Sequence, residues 1–118
     1  MTWEELFRKW WSRLNEDGGW QIEIVPNQFL DGNAEVEAHY PHRIITFRYN
    51  PRSTPSNLIA CHEVVHMVVM RLWHPTDDAI GLLGDSTGVV RKHLRDEMEG
   101  TVDSLARAFL RAYGESDG

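Results

Sequence analysis

His62-Glu63-Val64-Val65-His66 is the stretch on which the reading of this chain turns. Two histidines stand four residues apart, with a glutamate directly after the first. On a helix the i and i+4 side chains share a face about one turn apart, so both imidazoles can reach one metal ion. Glu63 then stands where a carboxylate could take a proton from a water polarised by that ion. The surrounding residues supply the helix. Ile59, Val64, Val65, Val68, Val69 and Leu72 partly bury the histidines, and buried imidazoles and carboxylates need partners. A cation is such a partner; hydrogen bonds inside a core are the other.

The helix that carries the motif is expected from about residue 55 to Leu72 or Trp73. Thr54 serves as N-cap and Pro55 as first helical residue, and Pro75 disfavours helix at His74. Residues 75–88, with Asp77 and Asp78 before Gly81 and Gly84, Asp85 and Gly88 after it, read as a loop. A last helix is expected over about 89–113, with Gly114 as its stop. Its Glu99, Val102, Asp103, Ala106 and Leu110 fall on one face. An acid pair on an apolar stripe is anomalous, because like charges repel and their burial is costly. A cation between that stripe and the histidines removes both objections. A zinc site that hydrolyses needs a third protein ligand and an open position. Glu99 is the expected third ligand over Glu97, which lies about 200° away around the helix. Asp103, one turn further on, is the expected acceptor for the second N–H of a ligating imidazole. Gly100 in mid-helix reads either as a point of close helix approach or as a kink.

Upstream, Trp3, Leu6, Phe7, Trp10 and Leu14 follow the helical 3–4 spacing within residues 2–16, ended by Gly18-Gly19. Residues 20–25 alternate as a half-buried strand up to Pro26, and Asp31-Gly32-Asn33 reads as a turn. Residues 34–40 and 43–49 alternate again around Pro41-His42, which implies a hairpin. The expected fold is α+β: an N-terminal helix, about three mostly antiparallel strands, the motif helix, and a C-terminal ligand-bearing helix, all in one domain over 1–118. Either 34–40 or 43–49 could be the edge strand that holds an extended peptide.

Composition narrows the function classes. The 118 residues carry a net charge of -6, so neither nucleic acid nor an anionic membrane is an expected partner. Hydrophobic residues make up 42%, with no run long enough to span a membrane. The single Cys61 cannot form an internal disulfide, and no apolar leader opens the chain, so a cytoplasmic setting is expected.

At His62-Glu63-Val64-Val65-His66 and Glu99-Gly100-Thr101-Val102-Asp103 the chain resembles the gluzincin metallopeptidases, whose pattern is H-E-x-x-H on one helix and E-x-x-x-D on a later one. The order of elements, and Glu99-x-x-Val102-x-x-Leu105-Ala106, also resemble the small zincin-like domains of phage and bacterial origin, including minigluzincins and ImmA/IrrE-type peptidases. The resemblance implies that His62, His66 and Glu99 bind Zn2+, that Glu63 is the general base, and that Asp103 orients a histidine. It implies a peptide or protein substrate. The larger relatives add a helical subdomain whose histidine or tyrosine stabilises the transition state. Here His93, His74, His42 and Tyr113 are the candidates for that role. Two other readings remain at this level: a non-catalytic zinc module that binds a partner protein, and a latent peptidase blocked by its N-terminal segment or by residues 75–88.

Overall fold

The computed structural model describes residues 1–15, 19–39, 42–82, 84 and 88–118, with the backbone alone over 70–77. Three helices and three strands follow in the order α1 (Trp3–Leu14), β1 (Gln21–Pro26), β2 (Ala34–His39), β3 (Ile44–Tyr49), α2 (Asn57–Leu82) and α3 (Val89–Ala112). None of the described helices is long and apolar enough to cross a membrane.

Helix α1 starts where its sequence supplies a reciprocal cap. The Thr2 hydroxyl accepts from the Glu5 backbone N–H at 3.1 Å, and Glu5 accepts from the Thr2 N–H at 2.9 Å. Its apolar stripe, Trp3, Leu6, Phe7 and Trp10, is buried. The helix stops at Leu14, before the glycines expected to end it, because Asn15 turns extended. Gly18 of that expected stop lies outside the described residues, as do Tyr40 and Pro41 of the expected hairpin turn.

The sheet departs from the expected antiparallel meander. Its order is β1-β3-β2, with β2 antiparallel to β3 but β1 parallel to it. Adjacent strands stand about 4.8 Å apart, so the link over 27–33 leaves a strand-wide gap between β1 and β2. β3 fills the gap. The link is clamped on both sides, by Asn27 N–H to the Tyr49 carbonyl and Asn50 N–H to the Asn33 carbonyl, each at 2.8 Å. Composition shows why β3 is central: Ile45, Thr46 and Phe47 are buried in succession, whereas β1 and β2 carry exposed Glu23, Glu35 and Glu37. β2 is therefore an outer strand and β3 is not.

Phe47 anchors α1 to the sheet, stacking on Phe7 at 4.3 Å between ring centroids. Helix α2 contributes Ala60, Cys61, Val64 and Val65, and α3 contributes Val102, Ala106 and Leu110 to the same core. The Cys61 thiol lies 3.8 Å from the Ala106 carbonyl, and burial pushes its pKa up to about 12.

Helix α2 departs from expectation at both ends. Its cap is Ser56 rather than Thr54: the Ser56 hydroxyl accepts from the Ile59 N–H at 3.3 Å. At the other end the backbone stays helical through Pro75 to Leu82, so most of the expected loop is helix. Proline removes a single N–H, the one that would serve the Arg71 carbonyl, and leaves the remaining ladder in place. Beyond it, buried Ile80 ties the last turns to the protein. Gly84 and Gly88 then take left-handed conformations, at φ 77° and 70°, in the reversal to α3. Gly100 does not mark a close approach, since a Cβ there would meet nothing within 4 Å.

The C-terminal tail holds the start of α2. Gly114, at φ 66°, closes α3 with Glu115 N–H bonding the Leu110 carbonyl at 2.8 Å. That turn delivers the Glu115 carboxylate to Lys9 at 3.0 Å, Arg13 at 3.1 Å and the Asn57 amide at 2.8 Å. Asn57 in turn accepts from the Trp10 indole at 2.6 Å. The bonds from Lys9, Asn57 and Arg13 hold the Glu115 carboxyl down at about 2, so its contribution to stability is present above the ordinary carboxylate range. It should be lost as pH falls from about 4.5 towards 2. Acid unfolding of Glu115→Gln, followed by circular dichroism, should therefore show a flatter decline across that window. An unchanged acid limb would remove Glu115 from this role.

Candidate metal centre

Helix α2 places its chemistry at the rim of the core. Cys61, Val64 and Val65 point into the protein, which leaves His62, Glu63 and His66 half-buried on the neighbouring face. The two imidazoles pack edge to face, with ring centroids 4.8 Å apart. Helix α3 anchors itself by Val102, Ala106 and Leu110, and thereby brings Glu99 over both rings. His62 Nε2 lies 3.6 Å from Glu99 Oε2, and His66 Nε2 lies 3.3 Å from Glu99 Oε1.

These separations suit a metal ion. Ligand atoms about 2.0–2.1 Å from a tetrahedral zinc stand roughly 3.3–3.4 Å apart. One donor atom from each of His62, His66 and Glu99 falls within 4.8 Å of the others. They form the sole such group among the described residues. Two imidazoles and a carboxylate also match the donor chemistry that zinc accepts, and three donors leave a fourth position.

Glu97, the rejected alternative, lines a shallow groove elsewhere on α3 with Asp96, Gly100 and Thr101. Asp103 lies beside the other edge of the His62 ring, beyond hydrogen-bond distance. Its Oδ1 is 3.8 Å from His62 Nδ1, on the ring edge away from Glu99, and its Oδ2 accepts from Arg107 Nε at 3.0 Å. Arg107 was not singled out in the sequence, although an Asp–Arg pair at i and i+4 is a readable helix signal.

The electrostatics single out Glu63. Burial pushes its carboxyl up to about 8, and the charges of Glu99 and Glu35 add to the rise. Burial also holds His66 below the usual imidazole range, against the opposing pull of Glu99, so its ring is ready to ligate as a neutral base.

Two cavities flank Glu63. One of about 370 Å³ is lined by Glu35, Val36, His66, Arg95, Met98 and Glu99 together with Glu63. The other, about 260 Å³, lies towards Asn33, Ala34, Leu58, Ile59, His62 and Asp103. Strand β2 borders both. Because Asn33 and Asn50 form a hydrogen-bonded pair, strand alternation turns the backbone groups of Ala34, Val36 and Ala38 away from β3. Of the side chains proposed to polarise a carbonyl, His42 and His93 are exposed and line neither cavity. Tyr113 packs edge-on against Trp10 at 5.5 Å. The His74 side chain lies outside the described residues. Arg95 and Glu35, not weighed in the sequence, line the larger cavity instead. Arg95 is one helical turn before Glu99, and that spacing is the signal that could have found it.

No protein-family model, curated protein or solved structure matches this chain.

Two outcomes follow from the geometry. Glu99→Ala should weaken zinc binding by more than the roughly 10–100-fold expected of Asp103→Asn, while Glu97→Ala leaves it unchanged. Titration calorimetry would read all three, and equal losses for Glu97 and Glu99 would refute the assignment. A dication beside Glu63 favours its carboxylate, so zinc binding at pH 7 should expel a proton that Glu63 otherwise keeps. Calorimetry in buffers of different ionisation enthalpy should count about one proton fewer for Glu63→Gln.

Proposed function

We propose that the chain is a zinc-dependent hydrolase of peptide bonds, a small gluzincin-like metallopeptidase with a zincin-type arrangement of helices and strands. One observation carries the reading: two imidazoles and Glu99 converge at ligand spacing beside a half-buried carboxylate, in a cleft bordered by an outer strand. His62, His66 and Glu99 would hold the ion, with Asp103 fixing the His62 ring. Bound there, zinc lowers the pKa of a water towards 7 and withdraws charge from the scissile carbonyl oxygen.

The remaining steps belong to the protein. Glu63 accepts the proton of the attacking water and passes it to the leaving amine. Its raised pKa describes the metal-free site, and a neighbouring dication restores the carboxylate that a base must be. The outward backbone groups of Ala34, Val36 and Ala38 offer hydrogen bonds to an extended peptide, and these small side chains leave the edge approachable. Three protein donors beside a cavity would suit a catalytic site, which needs an open position, better than a closed structural one. Helix α1 lines neither cavity, which counts against the N-terminal helix as a plug. A cytoplasmic setting belongs to the same proposal.

Glu63→Gln should keep one zinc per chain yet lose at least about 10²-fold in hydrolysis of an unstructured protein substrate such as casein. Metal analysis and a fluorescent-casein assay would read the two quantities on one sample. Parental turnover in the variant would contradict the assignment of the base.

A further inference from the structure

The cavities on either side of Glu63 differ in charge. The larger holds Arg95, the sole cationic side chain among its described lining residues. Its acids have other employment. Glu35 and Glu37 share Arg48, at 3.5 Å and 2.9 Å, across the β2–β3 pair, Glu99 faces both imidazoles, and Glu63 would be the base. With a dication in place, Glu99 and Glu63 would balance the ion, and the Arg95 guanidinium is the donor at this end of the cleft suited to a carboxylate. Arg95 is exposed, and its five donors allow a second partner whatever it touches within the protein. The smaller cavity contains no cation among its described lining residues. Its walls are Ala34, Leu58 and Ile59, and its Asp103 is already engaged by Arg107 at 3.0 Å.

We propose that Arg95 sets the specificity of the cleft, pairing with a substrate carboxylate on the His66 side of Glu63 while the His62 side receives an aliphatic side chain. The proposal rests on the peptidase reading above and adds the class of peptide. A guanidinium and a carboxylate form paired charge-assisted hydrogen bonds, which select an acid over its amide isostere. The carboxylate is either an acidic side chain beside the scissile bond or the free end of a peptide.

Zinc-loaded Glu63→Gln protein allows binding to be measured without turnover. The probes are doubly capped hexapeptides with Leu-Asp or Asp-Leu at the centre, their Asn counterparts, and Leu-Asn with a free C-terminal carboxylate. Calorimetry should show one Asp peptide, or the free-carboxylate peptide, binding about 10-fold or more tightly than its neutral counterpart. The first result assigns Arg95 to a side chain, the second to a chain end. The preference should vanish with Arg95→Gln, persist in part with Arg95→Lys, and turn towards a Lys-containing probe with Arg95→Glu. Unchanged zinc content and circular dichroism would confirm that these variants are folded. Equal binding of all probes, or a preference that survives Arg95→Gln, overturns the role of Arg95 and leaves the peptidase reading standing. If no probe binds at millimolar concentration, the peptidase reading falls and this proposal with it.

Discussion

The packing of α2 against α3 is the constraint on which the site depends. Cys61, Val64 and Val65 on one helix, and Val102, Ala106 and Leu110 on the other, are all at most 2% exposed. Such closely packed side chains permit little sliding. Since His62 follows Cys61, and Glu99 precedes Val102 by one turn, the apolar register also sets the polar one. A shift of one residue along α3 would carry Glu99 about 1.5 Å along the axis and 100° around it, out of reach of both rings. The ligand spacing is thus written in the core rather than in the ligands.

Without a cation, the same arrangement works against the protein. Burial first, and then the like charges of Glu99 and Glu35, push the Glu63 carboxyl up to about 8. Stability from the protonated Glu63 is complete below the ordinary carboxylate range and is lost as pH rises through about 8. A bound dication reverses the preference. Elsewhere the chain satisfies its charges more fully. Glu115 meets Lys9, Arg13 and Asn57 at the far end of α2, and anchors the start of the helix that carries the motif.

Local rules found much of this. Helical spacing located α1 and α3, and the stop at Gly114. The acid pair on an apolar stripe led to Glu99 and Asp103, because stripe and acids had to share a face. What local rules missed was set by distant contacts. Pro75 is a local argument for a helix end, yet burial of Ile80 beyond it outweighs that argument. The parallel β1–β3 pair follows from a seven-residue link that admits a third strand. Alternation alone described β3 as one arm of a meander. Gly100 drew an explanation from close approach, although its surroundings are open. Arg95 carried no motif; its place one turn before Glu99 was the readable signal, and the fold sets it beside Glu63.

The X-ray absorption spectrum of the zinc-loaded chain bears most directly on the metal centre. The expected spectrum shows four nitrogen or oxygen neighbours at about 2.0–2.1 Å, two of them with imidazole multiple scattering, and no sulfur. One imidazole signal should disappear with His62→Ala. A sulfur shell, or a coordination sphere unaltered by His62→Ala, would contradict a centre built from His62, His66 and Glu99.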